Sequence, residues 1–93
     1  MYIEIIKGAK EGQSKLNKVK SFLASSGLDL DNDIETTVCI LEDGKLVATG
    51  SRAKYLLKCI AVSEEARGSG YMSALMGTLW QDAFQNGVKE LLV

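Results

Sequence analysis

Between an apolar run, Tyr55-Leu56-Leu57-Lys58-Cys59-Ile60-Ala61-Val62, and a helical pattern that starts near Tyr71 stands a short polar bend, Arg67-Gly68-Ser69-Gly70. Backbone N–H groups at the start of a helix have no intrahelical acceptor, and the helix dipole adds positive potential there. A glycine bend at that point is a ready cradle for a phosphate or pyrophosphate. An anionic group is expected to be held between Arg67 and Met72.

Two phosphate-loop patterns compete for this bend. Gly-x4-Gly-Lys-Ser/Thr is absent. A dinucleotide fingerprint is closer, because Gly68-x-Gly70-x-x-Ser73 carries two of its three glycines and Glu90 lies 20 residues beyond Gly70. Against it, five residues, Ser63 to Arg67, separate the strand from Gly68 where that turn should be tight, and Glu90 falls within its own strand. A bare alternative is that the glycines only turn the chain from strand to helix.

Other side chains offer less. The sequence has no His and two Cys, Cys39 and Cys59, each flanked by aliphatic residues and without Cys-x-x-Cys spacing. Both read as small buried hydrophobes rather than nucleophiles or ligands of a structural metal. Asp29, Asp31 and Asp33 alternate as in a calcium loop, yet the glycine and the distal Glu of that loop are missing, so a solvated connection is expected. Tyr55 and Tyr71 read as packing residues with a polar tip. Lys58 and Glu64 flank the bend at strand ends, where charges are usually solvated. No catalytic residue is assigned.

The elements that must position the bend follow from periodicity. Tyr2 to Ile6 reads as a first strand, and Ser14 as the N-cap of a helix whose apolar face is Leu16, Val19, Phe22 and Leu23, ended by Gly27. Glu35 to Leu41 and Leu46 to Arg52, joined by Asp43-Gly44, predict a hairpin, because Asp-Gly supplies the positive φ of a tight turn. Tyr55 to Val62 extends it as a third strand of an antiparallel meander. Beyond the bend, Tyr71, Ala74, Leu75, Leu79 and Ala83 mark one helical face, and Met72, Met76, Trp80 and Phe84 widen it into a helix expected to be largely covered. Gly87 should end that helix, and Val88 to Val93 should return as a strand parallel to Tyr55 to Val62.

The 93 residues, 46% of them hydrophobic, suit a single domain over 1–93. Eleven Lys and Arg against twelve Asp and Glu give a net charge of −1. No long basic run provides the footprint of a nucleic-acid binder, so nucleic acid is not an expected partner, and Lys15, Lys18 and Lys20, readable as a membrane or phosphate patch, fall on the polar side of a predicted helix as a solvated face would. No apolar stretch approaches the ~20 residues that span a bilayer, and the N-terminus opens straight into a strand pattern, which points to the cytoplasm and to no membrane partner. Leu91-Leu92-Val93 closes the sequence within an apolar strand, as if the fold were cut short. Its open edge invites a second domain, a second copy in a homodimer, or a missing C-terminal half.

The stretch from Leu57 to Met76 resembles motif A of the GNAT N-acetyltransferase superfamily, an apolar strand running into Arg/Gln-x-x-Gly-x-Gly/Ala and a helix. Arg67 and Gly70 match, the order of elements fits the first half of that fold, and Met72 stands where the family usually has Gly or Ala. The resemblance implies an α/β (α+β) mixed sheet that binds coenzyme A or acetyl-coenzyme A. Its pyrophosphate would lie on the backbone N–H groups of Arg67, Gly68, Ser69, Gly70, Tyr71 and Met72, and its pantetheine arm along the strand edge at Ile60 and Val62. A narrower likeness is to the N-terminal GNAT-like domain of the citrate lyase ligase family. That likeness implies either an acetyltransferase-like domain or a non-catalytic module that recognises the coenzyme-A-like prosthetic group of an acyl carrier protein.

Overall fold

A computed structural model describes residues 1–8, 13–30 and 33–92. Four strands, β1 (Tyr2–Lys7), β2 (Thr36–Glu42), β3 (Lys45–Ala53) and β4 (Leu56–Val62), form an antiparallel sheet in the order β1-β2-β3-β4. Helix α1 (Gln13–Ala24) follows β1, and α2 (Tyr71–Gln85) follows β4 after a short 3-10 turn at Glu64–Ala66. The expected mixed α/β architecture is therefore what forms. Asp43 (φ 52) and Gly44 (φ 79) make the tight β2–β3 connection that Asp-Gly predicted.

Strand periodicity assigns the two helices to opposite faces. Val38, Ile40 and Ala48 join Leu75 and Leu79 of α2 in one buried cluster. Cys39, next door on the same strand, joins Leu16, Val19 and Leu23 of α1 in the other. Successive side chains of β2 thus alternate between the two helices, as a period of two requires. The apolar face foreseen for α1 is the face that buries, with Phe22 half-covered at its margin. The described helix starts at Gln13, which places Ser14 inside it rather than at its cap.

Both helices end on the same device. Gly27 (φ 74) donates its N–H to the Ala24 carbonyl and Leu28 donates to Leu23. At the end of α2, Gly87 (φ 80) donates to Phe84 and Val88 to Ala83. These paired bonds satisfy the last carbonyls of each helix, and the left-handed residue between them is cheap only for glycine.

Three expectations change. The outer flank of α2 is not covered: Met72, Trp80 and Phe84 are 45%, 42% and 60% exposed, and the Trp80 and Phe84 rings cover each other at 5.1 Å between centroids. Only Leu75, Leu79, Asp82 and Ala83 of α2 are buried, because a single sheet face beneath the helix covers a single stripe. The segment from Val88 forms no strand among the described residues. Instead a lone parallel bridge joins Leu92 to Leu56, with Leu92 N–H donating to Tyr55 and Leu57 N–H to Leu92, both at 2.7 Å. Its direction is the one expected, while Val93 lies outside the described residues. Tyr55, expected to pack, is 54% exposed at the β3–β4 turn.

Strand β4 is irregular where it matters. Its register against β3 runs Ala61 to Thr49 and then Lys58 to Ser51, so Gly50 faces the two residues between. The extra residue is Cys59, in the left-handed region at φ 56. A Cβ on Gly50 would come within 3.1 Å of the Leu79 side chain, a tight contact that glycine avoids opposite the bulge. Cys59 is half-buried, and its thiol donates to the Asp29 carbonyl at 3.3 Å. Because a β-branched residue is poorly tolerated at positive φ, Cys59→Val should cost about 1–2 kcal/mol. Cys59→Gly should cost less, as read from urea midpoints of the two variants.

Candidate functional site

The chain leaves β4 at Val62, makes one 3-10 turn, and enters α2 through Gly68 (φ 84) and Gly70 (φ 81). Both glycines sit in the left-handed region, which explains their residue type, and a Cβ on either would meet nothing within 4 Å. Gly70 is the N-cap of α2 and supplies no side-chain hydrogen bond. The first intrahelical bond is made by the Ala74 N–H to the Gly70 carbonyl. The amides of Tyr71, Met72 and Ser73 therefore precede the helical ladder, and a Ser or Asp at position 70 would have supplied the cap that glycine leaves out.

Tyr71, Met72 and Ser73 line a cleft of about 500 Å³. One wall is β4, through Ile60, Ala61 and Val62, and the floor is Ala66, Arg67, Gly68, Gly70, Tyr71, Met72 and Ser73. Seven of the eight residues singled out from the sequence, Ile60, Val62, Arg67, Gly68, Gly70, Tyr71 and Met72, line this one cleft. Ser69 is exposed and lies outside its lining, because its amide turns back to the Ala66 carbonyl at 3.2 Å. Met72, at the second position of the helix, is 45% exposed.

The opposite wall was not foreseen. Ser26 and Leu28, from the turn that ends α1, complete the cleft. Gly27 signalled where that helix stops, but nothing in the local sequence says that its end faces the start of α2. Along the outer edge of β4, the pairing among the described residues is the Leu56–Leu92 bridge and its flanking bonds. The bulge at Cys59 lies just beyond that bridge, so the wall at Ile60 to Val62 is a strand edge with backbone groups to give.

Within the lining, Arg67 and Tyr71 are the ionisable side chains. Desolvation raises the Tyr71 phenol above its usual range, and its hydrogen bond with Glu42 and the charges of Glu42 and Asp43 push the same way. Tyr71 is therefore neutral at physiological pH. Since its folded pKa is raised, the stability it contributes is present below the usual tyrosine range and is lost as pH climbs above it.

Other candidates lie elsewhere. Lys58 pairs with Asp33 at 3.2 Å, and neither it nor Glu64 lines the cleft. Of the three alternating aspartates, Asp29 and Asp33 are described and hold Cys59 and Lys58 respectively, while Asp31 lies outside the described residues. Glu90 lines a separate cavity of about 820 Å³, with Tyr55, Lys54 and Arg52, at the other end of β4. That separation removes the ribose-binding role the dinucleotide pattern would require. The second cavity is the larger, but its floor is already satisfied. Arg52 donates to Glu35 at 3.1 Å, to the Lys54 carbonyl at 2.6 Å and to Asp82 at 2.8 Å.

The buried group that sequence reasoning missed is Asp82. It is 4% exposed, takes hydrogen bonds from Arg52 and from the Thr36 hydroxyl at 2.8 Å, and pairs with Lys7. Its place on the helix, next to Ala83 on the buried stripe, was the available signal: a charge there needs a buried partner.

A β-bulge, a glycine-capped helix start and a cleft between them are what this sheet and helix order define, and the chain belongs to the acetyltransferase (GNAT) family, whose model matches residues 10–93. It is similar to the [citrate [pro-3S]-lyase] ligase of Escherichia coli K12, with 30% identity over 85% of this chain, and to that of Haemophilus influenzae Rd, with 37% identity over 72%. The chain spans 22% and 20% of the length of those relatives. Among solved structures, Escherichia coli ElaA superposes with a TM-score of 0.79 at 15% identity, covering 96% of this chain and 73% of that one. N-acetylglutamate synthase from Neisseria gonorrhoeae, complexed with coenzyme A and N-acetyl-glutamate, superposes with a TM-score of 0.57 at 17% identity, over 97% of this chain and 24% of that one. Among the described residues no helix is long and apolar enough to cross a membrane.

Proposed function

We propose that this domain binds coenzyme A or an acyl-coenzyme A, with the diphosphate on the amides that open α2 and the pantetheine arm along the free edge of β4. The observation that carries the reading is the glycine cap: Gly70 leaves the amides of Tyr71, Met72 and Ser73 without a side-chain acceptor, in three residues that line a cleft walled by a strand edge. A diphosphate supplies acceptors for those amides, Arg67 adds the one cationic side chain of the lining, and pantetheine amides match the backbone groups of β4. Arg67, Gly68, Gly70, Tyr71 and Met72 are the diphosphate-binding residues in this reading, and Ile60 and Val62 hold the arm. Ser69 serves the bend.

Acetyl transfer from such a ligand requires a base for the attacking amine and an acid for the leaving thiolate within about 3 Å of the reacting atoms. The lining offers a neutral Tyr71 and a cationic Arg67, neither of which is a base. Residues 1–93 are therefore expected to bind the ligand without transferring the acetyl group. Acetyl-coenzyme A incubated with simple amines and this chain should release no free thiol above the uncatalysed rate.

The relatives named citrate lyase ligases favour a second reading of the same cleft: a module that recognises a coenzyme-A-like prosthetic group on an acyl carrier protein in the cytoplasm. A second domain, or a second copy, would then add at the β4 edge. Both readings need the diphosphate and pantetheine site, so one titration tests their common ground. Coenzyme A at 100 times its dissociation constant should add about 2.7 kcal/mol to the unfolding free energy and raise the melting temperature. An unchanged melting temperature in millimolar coenzyme A overturns both.

A further inference from the structure

Helix α2 turns an uncharged surface to solvent. Of its 15 residues only Asp82 carries a charge, and Asp82 is buried, so the exposed positions between Met72 and Gln85 hold no charged side chain. A surface helix ordinarily sets charges on its outer face, and the core of a protein interface is where charges are depleted. On the side away from buried Leu75 and Leu79, the exposed residues Ser73, Gly77, Trp80 and Phe84 follow one another at intervals of four, three and four, the spacing of a coiled-coil seam. This seam is graded in size. A Cβ on Gly77 would meet nothing within 4 Å, which leaves an open notch in the first half of the helix. In the second half the Trp80 and Phe84 rings stand together as a ridge, 5.1 Å between centroids.

We propose that this seam is an interface for a second copy of the chain, related by a two-fold axis that sets the two α2 helices antiparallel. Aligning Phe84 of one copy with Ser73 of the other also aligns Trp80 with Gly77, so a single register fits both rings of each copy to both small residues of its partner. A parallel pairing would oppose ring to ring and notch to notch. Charge agrees with size: the seam brings no like charges together, and antiparallel helices set the positive N-terminal end of each beside the negative C-terminal end of the other. An unrelated partner would have to present the same grading reversed, whereas a second copy of this chain carries it already. The interface is separate from the open edge of β4 and stands independently of the coenzyme A reading. Because Ser73 belongs to the cleft lining as well as to the seam, pairing brings Phe84 of the partner subunit to the rim of each cleft.

Trp80 is the one tryptophan of the chain, so its emission reports on the seam itself. Sedimentation equilibrium and Trp80 emission, followed together on residues 1–93 without ligand from about 1 μM to about 1 mM, cover the affinities of a modest interface. The expected result is a monomer–dimer equilibrium in which the emission moves to shorter wavelength as the dimer fills. Gly77→Ala puts a methyl group in the notch and favours the helix, so the melting temperature of the dilute monomer should hold or rise while the dimer weakens about tenfold or more. Phe84→Lys removes an exposed ring and sets a cation where it suits the C-terminal end of its own helix but opposes the positive start of the partner helix. That variant should fold and stay monomeric throughout. A parent chain that is monomeric to the top of the range overturns the proposal. So does a dimer that leaves Trp80 emission unmoved or persists undiminished in Phe84→Lys, which would place the contact elsewhere, as at the β4 edge. Dimerisation of Gly77→Ala as tight as that of the parent overturns the antiparallel fit of ring to notch.

Discussion

Asp82→Ala should lower the unfolding free energy by about 3–5 kcal/mol, a large part of the roughly 5–15 kcal/mol that a domain has in total. The carboxylate is 4% exposed and Arg52, its main partner, 2% exposed. Removing the acid leaves a buried guanidinium with Glu35 at 3.1 Å as its remaining carboxylate partner. The Thr36 hydroxyl, 2.8 Å from Asp82, loses its acceptor at the same time. The loss should appear as a lower urea midpoint with an unchanged slope. Replacing Arg52 and Asp82 together by apolar residues of similar volume should recover much of it, because the cost lies in the uncompensated charge more than in the lost attraction. A single-variant loss under about 1 kcal/mol would mean that the network does not tie α2 to the sheet.

Gly70→Asp should separate ligand binding from folding. Gly70 has φ 81, and a Cβ there meets no atom within 4 Å. Asp enters the left-handed region more readily than most residues, so the variant should fold at a cost of about 1 kcal/mol. Its carboxylate, however, lies beside the amides meant for the diphosphate. Two unit charges 4 Å apart repel by about 4 kcal/mol at an effective dielectric of about 20, and salt reduces this. An affinity loss of about 30- to 100-fold is the expected result, equivalent to about 2–3 kcal/mol. A folded Gly70→Asp that binds coenzyme A as the parent does would move the site away from the start of α2.

Local sequence determined the pieces. Asp43-Gly44 fixed the β2–β3 turn, Gly27 and Gly87 the two helix ends, and Gly68 and Gly70 the bend, because each needs a positive φ that glycine, or Asp before it, adopts cheaply. The alternation of Val38, Cys39 and Ile40 determined which strand side chains meet α1 and which meet α2. From these the β2-β3-β4 meander and the bend from Arg67 to Met72 were legible, and the resemblance to motif A added Ile60 and Val62 of the cleft. What the tertiary structure alone decided is how separate pieces meet. Ser26 and Leu28 became a wall because the end of α1 faces the start of α2, a relation that no spacing within either helix encodes. The bulge at Cys59 sits opposite Gly50 of the neighbouring strand, whose Cβ would crowd Leu79 of α2 at 3.1 Å, so the position involves three elements at once. Asp82 can be buried only because Arg52, Thr36 and Lys7 arrive from three different strands to satisfy it. Periodicity reports what one element does with its own faces, whereas a cleft wall, a bulge and a buried ion pair each depend on residues far apart in the chain, and only folding brings those together.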